Sequence, residues 1–230
     1  GLKTHSKLVV SKMSRTTLRF TLTLLAASSL VCGSIQDENC TPYEEDPCYF
    51  MYQNASEAVR IDGKMYVMSQ NFNSTLPPLC DSAERVAKIN DTYFNFTLAA
   101  VLPWAPDIVV KFNTSFVLSK TGNHTDYNAM TYQYTTMEPA KLRKLLYMST
   151  NKTCLIFIDD RNSSAETARC QLLQPAHYAD QNVTDCQGVY EEQCPGPKIQ
   201  VYFSRCKNLT EVSLEDFMKS RRTTPAPQGC

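Results

Sequence analysis

Cysteines are the residues with the greatest capacity for chemistry in this chain of 230 residues, which contains ten of them. None lies in a CxxC pair or beside a pair of histidines, so their spacing fits no zinc site and predicts no metal. A cysteine nucleophile would need a histidine partner and a thiol, and pairing in an oxidising compartment removes the thiol. The pattern therefore favours structural disulfides, whose connectivity the spacing alone does not give.

Signatures of enzymes and of nucleic-acid-binding proteins are missing from the sequence. It has no glycine-rich phosphate loop, no GxSxG, no HExxH and no convincing pair of carboxylates. The 23 basic and 23 acidic side chains balance, and no polybasic run occurs, so neither nucleic acid nor a membrane is an expected partner. We expect a binding protein that uses no cofactor, and not an enzyme.

The N-terminal region has the order of a secretory signal peptide. Residues 13–34 begin with methionine, carry two arginines, continue with an apolar run and end in small residues. We interpret residues 1–12 as leader sequence upstream of the true start. Cleavage at the small residues would remove Cys32 and leave an odd number of cysteines; lipid attachment at Cys32 is the rival interpretation, which the bulk of Val31 disfavours. The segment predicts a secreted, extracellular protein.

N-glycosylation sequons are unusually dense. Eleven of the thirteen asparagines begin an Asn-x-Ser/Thr triplet, and the sequon at Asn39 is the weakest because it contains Cys40. Such triplets accept sugar only in secreted proteins, and only at the surface. The remaining ten are predicted glycosylation sites: Asn54, Asn73, Asn90, Asn95, Asn113, Asn123, Asn151, Asn162, Asn182 and Asn208.

Residues alternate between apolar and polar along Ile108–Lys120, which is typical of a strand with one wet face. If Asn113 carries sugar, its face is outside and the even-numbered apolar face is inside. The same logic at Asn95 places its phenylalanine neighbours inside. Six weaker strands are predicted at Lys64–Phe72, Tyr127–Thr135, Leu142–Ser149, Thr153–Asp159, Arg169–Leu173 and Ile199–Arg205.

Many short, half-wet strands predict an all-β sandwich or barrel, and regular alternation with short links favours an up-and-down barrel. Helices are predicted at Tyr49–Arg60 and Val183–Gln193. We place one domain at residues 35–212 and a flexible C-terminal tail, beginning with a short amphipathic piece, at residues 213–230.

The stretch from Cys154 to Cys206 carries a family resemblance. It reads CLIF from Cys154, CQLL from Cys170, CQGVYEEQC from Cys186, and VYFSRC ending at Cys206. In this pattern the chain resembles the tick salivary lipocalins of the histamine-binding family. The resemblance covers residues 43–207 and is specific in the last quarter of the chain.

The resemblance implies an eight-stranded antiparallel up-and-down lipocalin barrel with an N-terminal helix and a short C-terminal helix. It also implies disulfides Cys80–Cys206, Cys154–Cys186 and Cys170–Cys194, while the pairing of Cys40, Cys48 and Cys230 stays open. Its members hold a small host inflammatory mediator inside the barrel, and we expect this chain to do so as a monomer. A protein-binding module for a host immune or clotting protein, and a carrier without a host target, are the alternatives.

Two positions depart from the amine-binding members of this family. Those members carry an aspartate after the cysteine that corresponds to Cys154, where this chain has Leu155, and a glutamate where it has Gln171. Because an unpaired ammonium in an apolar cavity is costly, an apolar or amphipathic ligand such as an eicosanoid, fatty acid or sterol is favoured. Asp107, Asp126 and Glu138 could still build a site for histamine or serotonin.

Nine residues are candidates for ligand contact. The phenylalanines are expected inside, where filling the core is an equally good interpretation; the tyrosines offer a hydroxyl that a ligand could satisfy. The lone tryptophan could cap the mouth or pack on the wall, and the aspartate that follows it could face an amine. These candidates are Tyr66, Phe94, Phe96, Trp104, Asp107, Phe112, Phe116, Tyr132 and Tyr134.

Overall fold

A computed structural model describes residues 41–74, 77–134, 138–161 and 163–223, all of which lie in one compact unit, Ile35–Cys230. Eight strands of this unit form the barrel wall. They are β1 (Lys64–Gln70), β2 (Ser82–Lys88), β3 (Tyr93–Leu102), β4 (Ala105–Ser119), β5 (Ala129–Tyr132), β6 (Lys141–Met148), β7 (Leu155–Asp159) and β8 (Cys170–Pro175).

The eight strands close into a ring in which every neighbouring pair is antiparallel. Each strand pairs with the next in sequence except β8, which pairs with β1 and so completes the circle. Closure removes the exposed strand edges that an open sheet would present. The predicted eight-stranded antiparallel up-and-down barrel is confirmed.

Short elements lie outside the ring. Strand β9 (Ile199–Gln200) pairs with β1, and β10 (Thr210–Ser213) runs parallel to the first half of β4, where β5 does not reach. Helix α2 (Gln187–Gln193) follows β8, and α3 (Leu214–Thr223) follows β10. Two 3-10 helices, Tyr43–Glu45 and Pro47–Tyr52, precede the barrel, and a third spans Ser204–Asn208.

Helix α1 (Ala55–Ala58) covers one end of the barrel. Asn54 caps it by accepting a hydrogen bond from the backbone N–H of Glu57, and Ala55 and Ala58 are buried against the interior side chains. The strand connections β1–β2, β3–β4, β5–β6 and β7–β8 lie at the opposite end, which we call the mouth end. The barrel therefore has one end filled by a helix and one end built from loops.

Disulfides fasten two outer layers to the barrel wall. Cys154–Cys186 and Cys170–Cys194 lie in an apolar cluster between β6–β8 and α2. Cys80–Cys206 lies in a second outer cluster, beneath the C-terminal segment. All three pairs are those that the family resemblance implies. Cys48 is also disulfide-bonded, to a partner outside the described residues.

Three elements differ from the sequence prediction. The helix predicted at Tyr49–Arg60 is two short pieces, because Asn54 starts a new helix at its cap. Strand β2 was not predicted, and the strand predicted at Ile199–Arg205 is only two residues long before a 3-10 helix begins. The short amphipathic piece predicted at the start of the C-terminal tail forms α3, which buries Phe217; residues 224–230 lie outside the described part.

No helix among the described residues is long and apolar enough to cross a membrane. Within the same residues, no three histidine, cysteine, aspartate or glutamate side chains cluster closely enough to hold a metal ion. The predicted leader and signal peptide, residues 1–12 and 13–34, lie outside the described residues.

Candidate functional site

The barrel interior is lined by aromatic and aliphatic side chains. Phe94, Phe96 and Phe116 are buried there, and Phe112 packs against them while partly buried. The Phe116 ring stacks between Phe96 and Tyr132, with ring centroids 4.1 Å apart on both sides. The four phenylalanines therefore point inward, as the alternation of β3 and β4 predicted, and in this structure they fill the core.

Polar side chains gather at the mouth end of this apolar interior. Strands β1, β5, β6, β7 and β8 each contribute a side chain, and two more come from the residue just before β2 and from a residue just after β5. Hydrogen bonds and one ion pair join them into one group. We call this group the mouth network; its members are Gln70, Asp81, Tyr132, Tyr134, Arg143, Asp159 and Gln171.

Arg143 is the centre of the mouth network. Its side chain is only 6% exposed, and its Nη1 donates to the side-chain oxygen of Gln171 and, at 3.0 Å, to the hydroxyl of Tyr132. Its Nε lies 2.8 Å from Asp159 Oδ1 without directing its N–H at that oxygen, so this contact is an ion pair and not a hydrogen bond. Nη2 is buried and has no hydrogen-bond partner among the described residues.

An arginine in this position stays charged, because its guanidinium does not lose its proton in proteins. A buried N–H group without an acceptor costs free energy, of order 1–3 kcal/mol and more for a charged group. The Arg143 guanidinium is therefore a donor that the folded chain itself leaves incompletely satisfied.

Asp81 is the buried carboxylate of the mouth network. It is 6% exposed, and its Oδ2 accepts a hydrogen bond from the hydroxyl of Tyr134. Burial raises the pKa of Asp81 to about 6, although the hydrogen bonds from Tyr134 and from the Leu79 backbone oppose the shift. Burial, together with the neighbouring charge of Asp81, also raises the pKa of Tyr134 well above its usual value.

Gln171 links the two charged members. Its side-chain oxygen accepts from Arg143, while its Nε2 donates to Gln70 Oε1 at 3.0 Å and to the Tyr134 hydroxyl at 3.3 Å. Leu155, the other departure from the amine-binding pattern, is buried among the interior side chains. Both departures therefore lie inside the barrel.

Three sequence-predicted candidates lie away from the interior cluster. Tyr66, a candidate for ligand contact, belongs instead to the outer cluster with Cys80 and Cys206, where its ring packs against Tyr202 at 4.8 Å. Trp104 is 53% exposed in the β3–β4 turn, and Asp107 is exposed at the start of β4. Tyr132 and Tyr134, in contrast, belong to the mouth network.

The other two acidic candidates are also outside the network. Asp126 is exposed, and Glu138 lies 2.8 Å from Lys141 at the surface of the β5–β6 connection. The sequence interpretation missed Arg143 and Asp81 instead. Arg143 lies two residues before the inward-facing Leu145 on a predicted strand, so the alternation of that strand indicates that Arg143 also faces inward. Asp81 precedes β2, which was not predicted, so no such alternation could place it.

The sequon asparagines occupy the surface. Of those that the structure describes, seven are exposed and two, Asn54 and Asn95, are partly buried. Asn71 and Asn128, the two asparagines outside sequons, are buried. Asn39 and Asn162 lie outside the described residues. Surface position is what glycosylation requires, and the attachment of sugar itself stays a prediction.

A polar pocket of about 390 Å³ opens outside the barrel, between the first described residues, the β7–β8 connection and the end of α2. Its wall includes Arg161, whose guanidinium pairs with both oxygens of the fully buried Glu44, at 2.7 and 2.9 Å. That pair satisfies the Glu44 carboxylate within the chain itself.

Comparisons with known proteins agree with the barrel. The family model described as "Tick histamine binding protein" matches residues 43–208, which is most of the chain. The chain belongs to the tick histamine-binding protein family. No curated protein sequence matches it significantly.

Two solved structures, insecticyanin and apocrustacyanin C2, share the fold of this family member at low sequence identity. Insecticyanin from the tobacco hornworm Manduca sexta matches with a TM-score of 0.51 and 12% identity, over 71% of this chain and 90% of its own. Apocrustacyanin C2 matches at 0.50 and 17%, over 74% and 92%. Japanin from Rhipicephalus appendiculatus, bound to cholesterol, matches at 0.47 and 12%, over 64% and 96%.

Proposed function

We propose that this protein is a secreted salivary lipocalin that sequesters a small amphipathic host mediator, such as an eicosanoid, fatty acid or sterol, inside its barrel. The observation that carries the proposal is the layered interior: an aromatic and aliphatic core below, and the mouth network above it. A molecule with a hydrocarbon body and one polar end matches both layers, because apolar surface is best buried below and a polar group needs partners above.

The proposed ligand must displace side chains that now fill the barrel. The residues that would move are Phe96, Phe116 and the neighbouring methionines, Met130 and Met148. Methionine is suited to such a change because its unbranched, flexible side chain repacks at little cost. An eight-stranded barrel has room for one small ligand when its interior side chains yield.

The disulfides and the sequons support secretion. Three described disulfides fit an oxidising compartment, and every described sequon asparagine reaches the surface. Membership of the tick histamine-binding family also supports the proposal of a ligand-binding lipocalin. We expect the protein to act as a monomer without a cofactor; a host protein partner is the rival function.

A biogenic amine is the second candidate ligand, and Asp81 is the observation that favours it. A buried carboxylate beside Tyr134 could pair with an ammonium group, as an anion that is desolvated needs a partner. Asp81 lies inside the barrel, whereas Asp107 and Asp126 are exposed.

Isothermal titration calorimetry of the glycosylated protein with arachidonic acid, leukotriene B4, cholesterol, histamine and serotonin tests the proposal. The matched variants are Leu98→Trp, which enlarges an interior side chain, and Val117→Trp, which enlarges an outward side chain that is 40% exposed. Circular dichroism confirms that each variant is folded.

The expected result is one-to-one binding of an amphipathic ligand that Leu98→Trp weakens and Val117→Trp does not. Tight binding of an amine alone would replace the first candidate by the second. If no ligand binds, or if Leu98→Trp binds as well as the unchanged protein, sequestration in the barrel is wrong and a protein-binding function gains.

A further inference from the structure

We propose that the ligand's polar end is an anion, a carboxylate above all, and that Arg143 binds it with help from Tyr132. This inference rests on the proposed function, because it assigns the charge of the molecule that the barrel would hold. It separates fatty acids and eicosanoids, which carry a carboxylate, from sterols and amines, which do not.

The first argument is the unused donor capacity at the mouth end. Arg143 Nη2 is buried without an acceptor among the described residues, whereas Nη1 already serves Gln171 and Tyr132. The Tyr132 hydroxyl accepts that bond from Nη1, so its own proton is still available to a further acceptor. A carboxylate presents two acceptor oxygens, and two adjacent donors of this kind are what it binds best.

The second argument is the balance of charge around Arg143. Asp159 is shared, since it lies 2.8 Å from Arg143 and accepts a hydrogen bond of 3.1 Å from Arg169. Two guanidinium groups therefore face one carboxylate. Gln171, the closest side-chain acceptor of Arg143, is a neutral amide and cancels no charge. The immediate surroundings of Arg143 thus favour the arrival of an anion.

Asp81 is the other carboxylate of the mouth network, and its position does not reverse this balance. It reaches Arg143 only through Tyr134 and Gln171, and its Oδ2 already accepts a hydrogen bond from Tyr134. The remaining wall near Arg143 is uncharged: Gln70 on β1 and the Phe96–Phe116 stack on β3 and β4. A carboxylate bound at Arg143 would leave its hydrocarbon chain in the space that the Phe96 and Phe116 rings now fill.

The test compares ligands that differ only in the charge of the polar end. We propose calorimetric titration of the glycosylated protein with arachidonic acid and with its methyl ester, both below their micelle concentrations. We expect the acid to bind about tenfold tighter than the ester, since a charged hydrogen-bonded pair replaces a neutral contact. In Gln171→Glu the new carboxylate should pair with Arg143 in place of the ligand, so the acid and the ester should bind about equally well.

Two further variants make the result specific. Tyr132→Phe removes one donor and should reduce the preference for the acid while leaving affinity for the ester within about threefold. Arg205→Gln changes the net charge by the same amount as Gln171→Glu, but at an exposed side chain beside Phe203 that takes no part in the mouth network. This control should keep the preference of the unchanged protein.

Equal binding of acid and ester by the unchanged protein would overturn the anion inference and leave barrel sequestration standing. A preference that survives in Gln171→Glu would also overturn it. If acid, ester and cholesterol all fail to bind, the proposed function itself fails, which is a different result from the first two.

Discussion

Replacing the buried Asp81 by asparagine should change how the stability of the protein depends on pH. Burial raises the pKa of this carboxyl from 3.8 to about 6, so the folded state binds its proton more tightly than the unfolded state. The stabilisation from this proton is fully present below about pH 4 and is lost as the pH rises through about 6. The Asp81→Asn side chain carries no such proton, while its amide oxygen can still accept from Tyr134.

The size of the effect follows from the shift. A difference of about two pKa units at 1.36 kcal/mol each gives roughly 3 kcal/mol as an upper bound. Relative to the unchanged protein, Asp81→Asn should therefore gain up to about 3 kcal/mol of unfolding free energy between about pH 4 and pH 7. Taking the difference between the two proteins removes the contribution of all other titrating groups.

Urea unfolding followed by circular dichroism at several pH values in this range measures the difference. Asp107→Asn is the matched control, because Asp107 is exposed, and its difference from the unchanged protein should be flat with pH. A flat difference for Asp81→Asn as well would show that this carboxyl is not desolvated in the folded protein. The description of the mouth network would then be wrong.

Three further predictions concern the core, the disulfides and the surface. Phe116→Ala should lower the unfolding free energy by about 3–5 kcal/mol because its ring stacks on both sides, whereas Val117→Ala, at an exposed neighbour, should change it by about 0.5 kcal/mol or less; urea titration measures both. Replacing Cys80 and Cys206 by serine should lower the unfolding free energy by about 5 kcal/mol, against about 3 kcal/mol for Cys170 and Cys194. The first bridge closes a span of 126 residues and the second a span of 24, so the first restricts the unfolded chain more. Equal losses in urea unfolding would contradict this chain-entropy argument. Glycopeptide mass spectrometry should find sugar at exposed sequon asparagines, and enzymatic removal of it should leave the circular dichroism spectrum unchanged, since none of the described ones is buried; collapse of the spectrum would show that the sugars support the fold.

The regular parts of the barrel could be predicted because their side chains alternate. On β3 and β4, large apolar residues follow one face and sequon asparagines the other, so orientation could be read directly. Strand β2 was missed because Ser82–Lys88 has no large apolar residue on its inner face; Ala83 lies there instead. Small inward residues leave no periodic signal for a strand.

The candidate site was harder to predict than the barrel. In β1, residues 65–68 are all apolar or aromatic, so the sequence did not reveal that Tyr66 faces outward. Arg143 is stabilised inside the barrel by partners on β7 and β8, and such distant pairings are invisible in local sequence. The sequence identified Gln171 as a departure from the amine-binding pattern, but only the fold shows that its side chain accepts a hydrogen bond from Arg143.

The most direct test of the central claim is native mass spectrometry of the folded, deglycosylated protein after incubation with a mixture of eicosanoids, fatty acids and sterols. The account predicts one small molecule retained per chain, with a carboxylate among its groups, and loss of that molecule in Leu98→Trp but not in Val117→Trp. Detection of the protein mass alone, or of the same bound mass in both variants, would contradict it.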